Sequence, residues 1–233
     1  MGEEWIVAHK HLSKISISSN PNNEPVSING YSDHLKIIGI GTDAAVFQSI
    51  DVPAYVFKMY ANDKVQKIHI EKKVYELLED SPYYSTCFGY KDNYLVLNFE
   101  KGTTLYDCLL EGIPIPKQVI EDVDQAREYA RQKGLNPRDI HLKNILLQNG
   151  RAKIIDVSEY VQPGNDLRWE HLKEGYDHYY HFIEGKKVPL QLIEKIRKRY
   201  NDRSNQFFTF EAFMDHTTRL LQRLGNKREI LNK

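Results

Sequence analysis

Asp139, Asn144 and Asp156 are oxygen-bearing side chains whose types and spacing suit a hard cation. Asn144 is followed by Ile145-Leu146-Leu147-Gln148, then Asn149-Gly150, then Arg151-Ala152-Lys153-Ile154-Ile155 and Asp156. Two short apolar runs around Asn-Gly predict a β-hairpin closed by a type I′ turn, because both central residues of that turn need positive φ. Such a turn pairs Gln148 with Arg151 and, counting outward, Asn144 with Ile155. Asn144 and Asp156 are then expected side by side at the open end, roughly 5 to 8 Å apart as for opposed and diagonal neighbours. An amide oxygen and a carboxylate so placed suit Mg²⁺ carrying a nucleotide phosphate. Asp139 lies just upstream on a loop, where a third oxygen can face the same point.

Two more charged residues stand where burial makes charge costly. Lys58 sits in the middle of the β-rich run Ala54-Tyr55-Val56-Phe57-Lys58-Met59-Tyr60, so it needs an anion or an exposed edge. Taken alone, it also fits a lysine whose stem lies along the strand while its ammonium reaches water. Residues 62–80 have helical character, with Ile68, Glu71, Tyr75 and Leu78 recurring on one face. Glu71 therefore falls within the apolar stripe, whereas Glu76 shares a solvated side with Lys72, Lys73 and Asp80. A carboxylate among core positions wants a cation, and Lys58 is the natural one.

Further upstream, Ile38-Gly39-Ile40-Gly41-Thr42-Asp43-Ala44-Ala45-Val46 carries two glycines that let backbone N–H groups approach phosphates. A lone G-x-G is usually only a turn. Here residues 35–38 read as a strand before it and 45–50 as a strand after it, whereas a dinucleotide-binding loop would need a helix next.

Taken in order, these motifs resemble the protein kinases. Pro137-Arg138-Asp139-Ile140-His141-Leu142-Lys143-Asn144 resembles the catalytic loop H-R-D-L-x-x-x-N, with Pro137 in place of the histidine, and Asp156-Val157-Ser158 stands where D-F-G is expected. The glycine segment resembles G-x-G-x-x-G-x-V with Ala44 at the third glycine, and the Lys58 strand resembles V-A-I-K. Glu71 fits the family's helix αC glutamate. The resemblance implies an α+β, two-lobed fold: an N-terminal extension over 1–33, then a kinase-like domain over 34–233. Its β-rich N-lobe with one main helix would cover about 34–97, its hinge about 98–102, and a reduced, mainly helical C-lobe about 103–233.

The resemblance further implies an ATP-dependent phosphotransferase, a serine/threonine kinase moving the γ-phosphate of Mg-ATP to a protein hydroxyl. Lys58, held by Glu71, would contact the α and β phosphates, under Gly39, Gly41 and Val46. Leu97 would be the gatekeeper, with the backbone of Asn98, Phe99 and Glu100 meeting the adenine edge. Asn144 and Asp156 would hold Mg²⁺, for which Mn²⁺ can substitute, and Asp139 would accept or orient the acceptor's proton. Lys143 or His141 would steady the γ-phosphate. No A-P-E tripeptide follows Asp156, and only about a dozen residues separate it from Trp169, a trimming that resembles the small atypical kinases. The Asp-x-His-x-x-Asn order at His141 also occurs in kinase-like small-molecule phosphotransferases of the aminoglycoside/choline type. Those enlarge a C-terminal lobe that here has only about 130 residues. A nucleotide-binding pseudokinase or scaffold is the third reading, opposed by the intact set Lys58, Glu71, Asp139, Asn144 and Asp156.

Composition limits the partners. With 233 residues, 41% of them hydrophobic, the chain can bury a substantial core. Zero net charge and a pI of about 7.1 provide no global field for nucleic acid or anionic membrane, leaving ATP and a protein substrate as the expected partners. Cys87 and Cys108 make no disulfide framework, which points to a reducing cytoplasm. No apolar run is long enough to span a bilayer; Met1-Gly2-Glu3-Glu4 is too acidic for a signal peptide, and Ile6 stands where a myristoylation signal needs Ser or Thr. Residues 1–33 read as loosely organised, although Ile15-Ser16-Ile17 and Val26-Ser27-Ile28 can form an added hairpin. Helices are expected over 116–133, with Val119, Val123, Ala126 and Ala130 inward, over 189–200, and over 210–224 with Gly225 as the stop. His178 and His181 have helical metal-ligand spacing but no evident third ligand, and Tyr176, Tyr179 and Tyr180 read as packing residues.

Overall fold

A computed structural model of the chain describes residues 4–201 and 209–229. Met1–Glu3, part of the segment judged too acidic for a signal peptide, lie outside the described residues. The architecture is α+β and divides into two units. The first contains Met1–Lys101, Asp124–Pro137 and Lys153–Gly164; the second contains Gly102–Val123, Arg138–Ala152 and Asn165–Lys233.

In the first unit a 3₁₀ turn, Glu4–Ala8, leads into α1 (His9–Leu12), followed by an antiparallel pair, β1 (Ser16–Ser18) and β2 (Ser27–Asn29). Then come β3 (Leu35–Ile40), β4 (Ala44–Ser49), β5 (Tyr55–Tyr60), α2 (Gln66–Leu78), β6 (Cys87–Lys91) and β7 (Tyr94–Asn98). These five strands form an antiparallel sheet in the order β3-β4-β5-β7-β6. Its register sorts residues by face, since opposed residues point the same way. Phe47, Phe57 and Val96 are aligned on one face; Gly39, Val46, Lys58 and Leu95 are aligned on the other.

The Phe57 face is covered by the N-terminal segment. Trp5, Ala8, Leu12, Ile15, Ile17 and Val26 share a buried cluster with Ala45, Phe47, Phe57, Met59, Tyr94 and Val96. The loose organisation expected for residues 1–33 is therefore corrected. Positions 5, 8, 12 and 15 repeat at the spacing of a helical stripe, and the stripe buries a sheet face that would otherwise meet water. Leu12 and Ile17 are fully buried, and each such side chain contributes about 1.5–3 kcal/mol.

The second unit begins with β8 (Thr103–Thr104), α3 (Leu105–Glu111) and α4 (Lys117–Gln132), the last of which continues into the first unit. β9 (Ile145–Gln148) and β10 (Arg151–Ile154) follow, and the three strands form a sheet in the order β10-β9-β8. Asn149 (φ 49°) and Gly150 (φ 81°) both adopt positive φ, as the expected hairpin turn requires. Buried Asp122 on α4 anchors that turn: it accepts two hydrogen bonds of 2.7 Å from the Arg151 guanidinium and one of 2.9 Å from the Ala152 N–H.

α5 (Arg168–Ile183), α6 (Leu190–Asn201) and α7 (Phe210–Glu229) complete the chain. α5 buries Trp169, Tyr179, Tyr180 and Ile183 and packs against α7, which buries Phe213, Met214 and Leu221. Tyr180 Oη accepts from the Ile115 N–H at 2.6 Å and the Tyr176 hydroxyl donates to the Ile115 carbonyl at 2.9 Å, so these tyrosines are packing residues with a polar tether. α7 runs through Gly225 to Glu229 rather than stopping there. A glycine inside a helix costs only about 1 kcal/mol, and it ends a helix when the chain must turn left-handed. Gly112 does so at φ 73° after α3. Among the described residues no helix is long and apolar enough to cross a membrane, and Cys87 and Cys108 are both free thiols.

Candidate active site

The first unit gathers Lys58, Glu71 and Asp156. Lys58 lies at the centre of β5, on the face opposite the N-terminal segment, and only 9% of its side chain is exposed. Its Nζ donates to Glu71 at 2.9 Å and to Asp156 Oδ1 at 3.0 Å. Glu71, on α2 beside Ile68, Val74, Tyr75 and Leu78, has no exposed surface and also accepts from the Tyr60 hydroxyl. The Ser158 N–H donates to Asp156 Oδ1 at 3.0 Å, which fixes that carboxylate as the chain leaves β10.

Burial alone would lower the pKa of Lys58, but the charges of Asp156 and Glu71 outweigh it and hold the ammonium protonated far above the usual lysine range. Burial also dominates at Glu71, where it combines with the Asp156 charge to push the carboxyl up to about 7 against the pull of Lys58. At Asp156 burial raises the pKa, but Lys58 and the Ser158 N–H offset it, so the group is held below the usual carboxylate range. A carboxyl whose pKa rises on folding adds stability that is fully present below its ordinary 4.5 and is lost as pH rises through about 7. Protonating Glu71 also leaves Lys58 to Asp156 alone. Mg-ATP affinity is accordingly expected to fall as pH drops through about 7. Titration calorimetry on the wild type and Glu71→Gln separates this step from ionisation of the nucleotide. An identical pH profile in both proteins would refute it.

Gly39 and Gly41 lie on β3 and its turn into β4, where the Gly41 N–H donates to the Ala44 carbonyl at 2.8 Å. Neither glycine has positive φ. A Cβ on Gly39 would meet only the Val46 side chain, at an ordinary 3.8 Å, so the fold itself has no need of glycine there. Gly39→Ala is expected to leave stability unchanged or raise it by up to about 1 kcal/mol while weakening ATP binding. A variant that binds ATP as well as the wild type would show that this face does not approach phosphates.

At the end of β7, Leu97 is buried, the Asn98 N–H donates to the Thr86 carbonyl at 2.9 Å, and the Phe99 N–H donates to the Ala54 carbonyl at 2.8 Å. The Asn98 side-chain amide donates to Glu100 Oε1 at 2.9 Å. Two of the backbone donors assigned to adenine are thus already engaged by the protein.

The second unit holds Asp139, His141, Lys143 and Asn144 on the loop before β9. Asp139 takes a left-handed φ of 56°, a conformation that costs a non-glycine residue energy and clusters at functional positions. Its N–H donates to Asp166 Oδ2 at 2.9 Å, and its Oδ1 accepts from the Arg168 guanidinium. Its Oδ2 is 4.0 Å from His141 Nε2. The Asn144 amide nitrogen donates to the Asp139 carbonyl at 3.2 Å, an acceptor that fixes the amide's orientation and leaves its oxygen to bind a cation. Lys143 places its ammonium over the Tyr106 ring at 4.5 Å. Asn144 belongs to the second unit and Asp156 to the first.

Arg168 and Asp166 are absent from the expected set. They open α5 after the Gly164 turn, and Asp166 Oδ1 also accepts the Arg168 N–H at 3.1 Å. Only the sequence Asp166-Leu167-Arg168 at the mouth of an unanticipated helix could have signalled them.

Within the first unit, the Asp156 carboxylate, with a third of its side chain exposed, and the fixed Lys58 ammonium are groups of the kind that meet magnesium and a phosphate; in the second unit, Asn144 offers an oriented amide oxygen of the same hard-donor type. No protein-family model matches the chain. Over 174 residues, 72% of this chain and 81% of the relative, it is 33% identical to YrzF of Bacillus subtilis (strain 168), which is provisionally named a serine/threonine-protein kinase. Over 88 residues it is 31% identical to testis-specific serine/threonine-protein kinase 3 of Mus musculus, spanning 36% of this chain and 30% of the mouse protein. With identity to YrzF extending over most of both proteins, the chain belongs to the protein kinase-like family.

Proposed function

We propose that the chain is a small atypical serine/threonine protein kinase of two-lobed form, transferring the γ-phosphate of Mg-ATP to a protein hydroxyl. The observation that carries this reading is the buried Lys58–Glu71 pair with Asp156 on the same ammonium. Burying such charges costs several kcal/mol per ion, so a fold gains little from the group unless it holds a polyanion.

Lys58, positioned by Glu71, contacts the α and β phosphates, and Gly39, Gly41 and Val46 border the nucleotide. Leu97 stands beside the base, and the backbone of Asn98, Phe99 and Glu100 borders its edge. Asp156 and Asn144 would hold the magnesium, for which Mn²⁺ could substitute. Magnesium held there would supply positive charge against the transferring phosphoryl group. Asp139 accepts the hydroxyl proton on Oδ2 while Arg168 holds Oδ1. His141, whose Nε2 lies 4.0 Å from Asp139 Oδ2, or Lys143 steadies the γ-phosphate.

The lobes are read as about 34–97 and 103–233 around a hinge of about 98–102, which the change of unit between Lys101 and Gly102 supports; the first unit also takes Asp124–Pro137 and Lys153–Gly164. Tyr160, one of two hydroxyl residues between Asp156 and Trp169, is 1% exposed, which favours an enzyme not switched by phosphorylation there. The two free thiols favour a reducing cytoplasm.

A labelled-ATP transfer assay with generic protein acceptors, followed by mass-spectrometric site mapping, tests the reading. Label on protein serine or threonine supports it. Label on small hydroxylated compounds points instead to a phosphotransferase of the aminoglycoside/choline type, consistent with the histidine at 141. Nucleotide binding without transfer to any acceptor identifies a pseudokinase.

A further inference from the structure

His11, His34 and Asp51 converge in the first unit from three separate segments: α1, the residue before β3, and the loop after β4. Their donor atoms all lie within 4.8 Å of one another, and among the described residues this is the one such group of three. His11 Nε2 is 3.3 Å from Asp51 Oδ2, and His34 Nδ1 is 3.2 Å from the same oxygen. Four ligands set tetrahedrally around zinc at about 2.0–2.1 Å stand about 3.3–3.4 Å apart. Two of the three separations are therefore already close to that spacing.

The second observation concerns His11 itself. The residue is 6% exposed, and its Nε2, directed towards the carboxylate, is buried without a hydrogen-bond partner despite the short approach. A buried ring nitrogen without a hydrogen bond is costly. The other ring nitrogen, Nδ1, is 2.9 Å from Ser32 Oγ, an oxygen that can accept a hydrogen bond from Nδ1–H and so leave the Nε2 lone pair for a cation. The backbone brings the ligands together for independent reasons. Leu12 is anchored in the sheet core, and the Ile50 N–H donates to the His34 carbonyl at 3.0 Å, holding the two ends of the β3–β4 hairpin against each other.

We propose that His11, His34 and Asp51 form a zinc-binding site that clips the N-terminal segment to the β3–β4 hairpin. Two imidazoles and a carboxylate suit zinc better than magnesium, which prefers oxygen alone. The imidazole rings now stack with centroids 4.1 Å apart and planes at 12°, so binding requires the half-buried His34 ring to turn its nitrogen towards the ion. Six residues of β3 separate His34 from Gly41, a span of about 20 Å in a strand, so this ion is not the one that accompanies the nucleotide. Among the described residues no third ligand joins the alternative pair, His178 and His181, and His178 Nδ1 is 2.9 Å from the Glu174 carbonyl.

The test uses the full chain without a polyhistidine tag, stripped with a chelator and then titrated with Zn²⁺. One equivalent should bind and raise the melting temperature, and Co²⁺ in its place should show the visible absorption of a tetrahedral nitrogen and oxygen site. His34→Ala and Asp51→Asn should each lose the zinc-dependent rise while the stripped proteins melt near the wild type; His178→Ala should keep it. Binding of no zinc would show that the cluster only hydrogen-bonds the segment in place, and would overturn the proposal. Undiminished binding in both His34→Ala and Asp51→Asn would overturn it too, by placing the ion elsewhere.

Discussion

Asp139→Asn is expected to lower phosphoryl transfer by about 10² to 10⁴-fold, the range for loss of a general base, while nucleotide affinity stays close to the wild type. The substitution keeps the shape of the side chain and removes its basicity. Asp139 lies on the loop that carries Asn144, and no contact with Lys58 or Glu71 is required for its role, so the nucleotide-binding group is left intact. The loop should also survive, because the Asp139 N–H remains bonded to Asp166 and the Asn144 amide remains bonded to the residue 139 carbonyl. Loss of the carboxylate charge does weaken the Arg168 contact. Single-turnover rates, read beside ATP binding and thermal melting, separate these effects. Turnover near the wild type in a folded, ATP-binding variant would remove Asp139 from the reaction, and an equal loss of ATP binding would show that it acts before the chemical step.

Lys58→Met and Glu71→Gln should both abolish most transfer, and their effects on stability should be unequal and non-additive. Removing one partner of a buried ion pair costs about 3–5 kcal/mol because the other charge is left uncompensated. Lys58→Met strands two carboxylates, Glu71 and Asp156, whereas Glu71→Gln leaves Lys58 its contact with Asp156. Lys58→Met should therefore be the more damaging. The double variant should be less destabilised than the sum of the singles by about 0.5–3 kcal/mol. Denaturant unfolding of the four proteins measures this coupling directly. Simple additivity would mean that the two charges are energetically independent in the folded chain.

What could be read from the sequence was what short-range physics encodes. The Asn149-Gly150 turn follows from two residues that must take positive φ, and the hairpin strands on either side follow from it. The approach of Glu71 to Lys58 was legible because helical periodicity placed a carboxylate in an apolar stripe and alternation placed a lysine inside a strand. Each is costly alone, and pairing them relieves both. The order of glycine loop, lysine, glutamate and catalytic loop carried the family.

Tertiary structure decided what depends on the environment of distant segments. Trp5, Leu12 and Ile15 carry a helical stripe, but a stripe so short does not form a helix by itself; burial on the Phe47–Phe57–Val96 face is what orders it. Arg168 and Asp166 gained a role only when the chain after Gly164 returned to Asp139, nearly thirty residues away in sequence. His11, His34 and Asp51 have no shared spacing at all. A packed helix turn and a paired hairpin bring them together, and packing of that kind is set by the whole sheet rather than by any local pattern.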